Sequence, residues 1–278
     1  MKQNNLGKKS GLYIIYFFIS IFFLIPVLWV LSYSFKTIPE LFATPLQILP
    51  KQLNLDNYMY VIKNTSIPRS IFNTFYIVVI SIIGTIAIAI PASYIFSRFK
   101  FKGANSLQFI ILMFRMISPI VIVIPLYVLL NNLNLANSHI IMIFIYIALS
   151  LPLAILNIKG YIDGIPKSVD EAALIDGASR AQIITKIHFH VALPGLISVA
   201  LVTMVALWGQ FIVPFILLSD AKKYPISTAL NNMSSASEAI TTHYLAAACI
   251  LSILPTTILF IILQRFIVSS MTDGAVKG

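Results

Sequence analysis

Six apolar runs, each long enough to cross a bilayer, constrain this chain more than any motif in it. A spanning helix needs about 17 to 25 mainly apolar residues, and the segments at about 11–33, 71–95, 107–130, 140–156, 196–218 and 244–266 meet that requirement. Lipid offers the backbone no hydrogen-bond partners, so such a segment is a helix or part of a closed barrel. Barrel strands alternate apolar and polar side chains. These runs are continuously apolar, which leaves helices. The expected fold is an all-α integral membrane protein with six transmembrane helices, one domain over residues 1–278, spanning the cell membrane.

Charge supports the same class. Only 10% of the residues are charged, against about 25% in soluble domains. The net charge of +10 raises a nucleic-acid partner, but the basic residues are scattered through short loops rather than gathered in a patch, which excludes one. Cys249 is the single cysteine, so neither an internal disulfide nor a cysteine metal site is expected. The first run follows Lys2, Lys8 and Lys9 and lacks a small-x-small cleavage pattern, so it is read as a retained span.

Orientation follows from the bias of Lys and Arg toward the cytoplasmic side. With the N-terminus inside, twelve basic residues fall on that side: Lys2, Lys8, Lys9, Arg98, Lys100, Lys102, Lys159, Lys167, Arg180, Lys186, Arg265 and Lys277. Six fall opposite: Lys36, Lys51, Lys63, Arg69, Lys222 and Lys223. Both termini are therefore expected in the cytoplasm. The first outer loop, about 34–70, carries Pro39, Pro45, Pro50 and Pro68 and is expected to be irregular.

One cytoplasmic segment is too polar to span and too patterned to be a linker: GIPKSVDEAALIDGASRAQIITKIHFHVALPGL, Gly164 to Leu196. Ser168 precedes Glu171 by three and Ser179 precedes Gln182 by three, two capping-box signatures in succession. Gly177 stands between them, where a helix end wants a left-handed residue. Two short helices are predicted, about 169–176 and 180–191. In the second, Ile183, Ile184, Ile187 and Val191 form an apolar stripe, with Arg180, Lys186 and His190 elsewhere. Ala172 and Ala173 would let a partner approach closely, and Asp170 and Glu171 suit a helix N-terminus. On pattern alone, a helix seated in a cytosolic partner and one lying on the inner membrane surface are equally open.

The run Glu171-Ala172-Ala173 with Gly177 four residues on, in EAALIDGAS after YIDGIPKSVD, resembles the EAA loop of binding-protein-dependent ABC importer permeases. Further matches cover nearly the whole chain and resemble the carbohydrate branch, the maltose/trehalose-type second permease. They are ATPLQILPKQLNLDNY, NTF at 73–75, ASYIFSRFKFKG, RMISPIVIVIPLYVLLNNLNLANS and the tail QRFIVSSMTDGAVKG. The resemblance implies the type I importer permease fold, with a coupling loop at about 164–195 in which Asp170, Glu171, Ala172, Ala173, Asp176 and Gly177 dock into an ATPase subunit. It implies a second, different permease, two copies of that ATPase, an extracytoplasmic sugar-binding protein and membrane lipid as partners. No cofactor is expected in this chain, since ATP and Mg would belong to the ATPase. No catalytic or metal-ligating residue is expected, and the chain is expected not to be an enzyme. The expected role is half of the translocation path for a sugar or oligosaccharide. A permease for a non-sugar solute and an ion-coupled carrier are the alternatives. One departure stands out: relatives continue Ile-x-Leu-Pro, whereas Ile187 is followed here by His188, Phe189 and His190.

Polar residues near the spans complete the reading. Arg115 is the one charged residue well inside a predicted span and is a candidate for the translocation path or a subunit interface, or else it snorkels or pairs with a carbonyl near Pro119. All nine acidic residues fall outside the predicted spans, which argues against ion coupling. Trp208 and Gln210 resemble the family's substrate-path segment, although Gln210 also suits interhelical hydrogen bonding. His188 and His190, two apart on a helix, point to different faces and do not make a metal pair.

Overall fold

The computed structural model describes residues 4–45, 47–235 and 242–275. Lys2 and Lys277, which enter the charge bias, lie outside the described residues. No strand occurs among the described residues, and the chain groups into two compact units.

The first unit comprises Met1–Ile67 and Leu230–Ile253. Helix α1 (Asn4–Ser34) carries the first apolar run, and its 24 residues from Gly11 reach about 36 Å at 1.5 Å per residue. Phe17, Phe18, Phe22 and Phe23 are all exposed, as on a helix that is apolar all round. The loop after it is more ordered than its prolines predict. It holds α2 (Ile38–Leu41), with Pro39 in its first turn, and α3 (Asp56–Asn64). Buried Asn57 donates to the Ser34 carbonyl at 2.9 Å and the Lys36 carbonyl at 3.0 Å, satisfying acceptors that the end of α1 leaves open. The Glu40 carboxylate accepts the Thr37 and Lys51 backbone N–H groups at 3.0 and 3.1 Å, and these donors, Thr37 first, hold its pKa below the usual range.

The second unit comprises Pro68–Ala229 and Leu254–Gly278. Its elements begin with α4 (Ile67–Arg98), α5 (Ala104–Met116), α6 (Pro119–Asn132) and α7 (His139–Asp163). The segment α8 (Lys167–Ile175), α9 (Arg180–Gln182), a π-turn (Ile183–His188) and α10 (Phe189–Val191) follows. After it come α11 (Leu193–Trp208), α12 (Ile212–Leu217), α13 (Ile226–Ser235) and α14 (Thr242–Ala275), the last two shared between the units.

Four helical stretches are long and apolar enough to span alone: Gly11–Ser34, Ile67–Arg98, His139–Asp163 and Thr242–Arg265. The third and fifth runs belong to bent helix pairs, and counting each pair as one span gives six. The third run, one span over 107–130 with a broken turn at Pro119, is two helices: α5 and α6 meet at 85°, because a proline disfavours helical geometry in the residue before it and Ser118 is extended at ψ 134°. The fifth run ends its helix at Trp208 rather than near Leu218 and resumes in α12. Helix α7 runs on to Asp163, beyond its predicted end at 156.

A core ties these helices together. Ala89, Ile90 and Tyr94 of α4, Ala154, Ile158 and Ile162 of α7, and Leu196 and Val199 of α11 are buried in one cluster with Ala173, Ile183 and Ala192. Small residues set the close approaches. A Cβ on Gly84 would lie 2.5 Å from Ile147, and one on Gly195 would lie 2.4 Å from the Tyr161 ring. Ser93 donates to the Ile155 carbonyl at 2.8 Å, joining α4 to α7.

Candidate coupling site

Helix α8 starts one residue after Pro166, whose φ of −57° and ψ of 139° place it at the N-cap. Ser168 is therefore inside the first turn and does not cap, which corrects the first predicted capping box. The C-terminal end forms as expected. Gly177 takes φ +82°, its N–H reaches the Leu174 carbonyl at 3.1 Å, and the Ala178 N–H reaches Ala173 at 2.9 Å, the paired bonds of a Schellman motif. The second capping box forms too: Ser179 Oγ accepts the Gln182 N–H at 3.3 Å, and Gln182 Oε1 accepts the Ser179 N–H at 2.7 Å.

The second predicted helix is not α-helical throughout. Ile183–His188 is a π-turn, closed by the Phe189 N–H on the Ile184 carbonyl five residues back. No proline stands between Gly177 and Leu193, so that N–H is available. In an α-helix, residues five apart point about 140° from each other at 3.6 residues per turn. Here Ile183 and His188 are both buried, at 0% and 1% exposure. The predicted stripe changes accordingly: Ile184 and Ile187 pack at the margin of the core, Val191 is exposed, and His188, outside the predicted stripe, points inward.

His188 faces Asp170. Its Nε2 lies 2.7 Å from Asp170 Oδ1, and Arg98 Nε donates to Asp170 Oδ2 at 2.9 Å. A carboxylate only accepts, so the Nε2 carries the proton. Arg98 also donates from Nη2 to the Ile165 carbonyl at 2.9 Å. All three side chains are at most 7% exposed. The Tyr94 ring meets the His188 imidazole edge to face at 5.0 Å. Above Tyr94, Arg180 donates to its hydroxyl at 3.3 Å and lies 5.1 Å from the Phe99 ring centre. At the margin, Asp163 accepts from Ser97 at 2.6 Å and from Lys159 at 2.7 Å. The loop is thus fastened to the ends of α4 and α7 by a buried polar network in which the Asp170 carboxylate is paired on both oxygens, while the Nδ1 of His188 is buried without a hydrogen-bond partner.

The predicted site residues separate into two faces. Glu171, Ala172 and Asp176 are exposed, with Ile175 at 86% beside them. Asp170 and Ala173 point inward, so Ala173 packs in the chain's own core rather than toward a partner, and Asp170 binds side chains rather than the helix N-terminus. Arg98 and His188 are not among the predicted coupling residues. Arg98 reads in sequence like any basic residue after a span, and His188 only as a departure from a familiar pattern. The remaining candidates lie away from this cluster. Arg115 is exposed in the last turn of α5. Trp208 is buried at the end of α11, and Gln210 Oε1 accepts the Ile212 N–H at 3.2 Å, just ahead of α12. Among the described residues no group of three or more His, Cys, Asp or Glu side chains could hold a metal ion.

Comparison with known proteins gives this geometry its context. The chain is 30% identical to the inner membrane ABC transporter permease protein YcjP of Escherichia coli, over 92% of this chain and 91% of that one. It is also 30% identical to the trehalose/maltose transport system permease protein MalG of Thermococcus litoralis, over 92% of each. A chain from the crystal structure of a bacterial ABC transporter that imports the acidic polysaccharide alginate shares the fold, with a TM-score of 0.79 at 19% identity, covering 95% of this chain and 98% of that one. Residues 86–273 match the family described as binding-protein-dependent transport system inner membrane component. That interval holds the fifth apolar run and the whole fastened loop, and the chain belongs to this family of multi-pass membrane permeases.

Proposed function

We propose that this chain is the permease subunit that forms half of a sugar or oligosaccharide path in an ATP-driven importer, and that α8 is where the ATPase docks. The observation that carries the docking is the division of α8 into a buried side, Asp170 and Ala173, and an exposed side, Glu171, Ala172 and Ile175. An exposed Ile175 beside a small Ala172 is suited to a groove in a partner, and the buried side makes the helix part of the chain's own framework. The sugar assignment rests on relatives such as the trehalose/maltose permease.

In this reading the loop and both termini face the cytoplasm, and a second, different permease completes the path. Two ATPase copies hold ATP and Mg outside this chain, and an extracytoplasmic binding protein delivers the sugar. ATP binding draws the docked loops together and opens the path outward; hydrolysis resets it.

The test is purification of the complex from native membranes through a tag on this chain, with ATP hydrolysis measured in the eluate. The parent chain should bring hydrolysis with it. Ala172→Arg combined with Ile175→Asp should reduce it about tenfold or more while the tagged chain is recovered in similar amount, as for disruption of an interface centre. Hydrolysis that co-purifies undiminished with the double variant would overturn the docking face.

A further inference from the structure

We propose that His188 is a positioning residue that latches the two halves of the coupling loop together, so that force applied to α8 moves α4 and α11 as one body. This rests on the docking of α8 proposed above.

Two polar ties leave the Asp170 carboxylate in different directions. Oδ2 accepts from Arg98, the last residue of α4, and Arg98 also holds the Ile165 carbonyl between α7 and α8. Oδ1 accepts from His188, which belongs to the π-turn leading through α10 into α11. The backbone between the halves is short but turns at Gly177, where φ is +82° and a Cβ would meet nothing within 4 Å. That turn is exposed, and its two backbone hydrogen bonds set the direction of the chain. Side-chain contacts must add the stiffness: Ala173 and Ile183 share the core, and among the described residues the side-chain hydrogen bond that joins the halves is His188 to Asp170. The π-turn is what aims the imidazole inward, and π-turns are frequent at functional positions. The face that would meet an ATPase and the carboxylate that holds the loop lie one residue apart, at Glu171 and Asp170, so a displacement of α8 acts directly on both ties.

Removal of the His188 tie leaves Arg98–Asp170 and the exposed face of α8 in place. ATPase binding should persist while its stroke no longer reaches α11. The test uses the whole complex in proteoliposomes with its binding protein, and it measures solute taken up per ATP hydrolysed. This ratio does not depend on how much complex is recovered. His188→Leu should lower the ratio about fivefold or more, the lower end of typical coupling between sites, with ATPase content per tagged chain unchanged. His188→Gln places an N–H near the position of Nε2 and should recover most of the ratio.

A latch is overturned if His188→Leu keeps the parental ratio, even at reduced yield, because the residue then serves stability alone. It is overturned equally if His188→Gln behaves like His188→Leu. A parent chain that recovers no ATPase at all refutes the docking of α8 itself, and that outcome is separable from failure of the latch in a complex that retains its ATPase.

Discussion

Two helix pairs in the second unit bend sharply, α5 with α6 at 85° and the Arg180–Val191 segment with α11 at 76°. Locally they share a grammar. In each the second helix opens with a proline in its first turn, Pro119 in one and Pro194 in the other, where the missing N–H costs nothing. Their surroundings differ. Helix α5 has no buried residue, and the two residues at its bend, Ile117 and Ser118, are exposed. At the other bend Ala192, Gly195 and Leu196 are all buried, with Gly195 against the Tyr161 ring. A proline thus places a bend, and only packing fixes its angle.

Three substitutions break or sharpen this contrast. The largest effect is expected at Gly195. A side chain there begins 2.4–2.7 Å from three atoms of the Tyr161 ring, so Gly195→Val should cost about 1–3 kcal/mol, as overpacking does, and lower the thermal unfolding midpoint of the solubilised complex. The double variant with Tyr161→Ala should regain part of the loss; no regain would mean the bend is fixed by something other than this contact.

Gly177 comes next, because its cost is confined to the backbone. Gly177→Ala should destabilise by about 1 kcal/mol, and Gly177→Asn by less, since asparagine visits left-handed geometry more readily. That order reverses helix propensity. If alanine proved the milder substitution by the same unfolding measurement, the left-handed turn would be wrong.

The smallest effect is expected at the unsupported bend. Pro119→Ala should shift stability by no more than about 0.5 kcal/mol, as at positions without packing. A drop as large as that of Gly195→Val would show that the 85° bend is held as firmly as the other.

What was legible in the sequence follows the same division between local and tertiary causes. The apolar runs, the left-handed Gly177 and the Ser179–Gln182 box depend on neighbours within a few residues, and each is present, although the third and fifth runs are broken and the fourth helix runs past its predicted end. Misread features have either a rival signal nearby or a partner far away. Ser168 loses its capping role to Pro166, a competition between adjacent signals. The inward turn of His188 needs a carboxylate 18 residues away, and the burial of Arg98 needs one 72 residues away, so no periodicity within the loop announces either. Exposure of Ala172 with burial of Ala173 is likewise a property of the core beneath α8, since two adjacent alanines look alike in sequence. Arg115 stands out by its charge and Trp208 and Gln210 by a resemblance; the last two sit together at the break between α11 and α12, and Arg115 lies in the last turn of α5.

The span between Arg98 and Asp170 also orders events in time. Seventy-two residues separate the partners, and α5, α6 and α7 lie between them in the chain. A nascent chain that has just completed α4 holds a guanidinium whose carboxylate has not yet been synthesised. Contacts so far apart in sequence close late, after the intervening loop has been ordered. His188 follows Asp170 by another 18 residues and closes the network last. The exposed face of α8 is therefore supported from beneath only after α7 is in place, so under the docking proposed above an ATPase would be recruited only once insertion through the fourth span is complete.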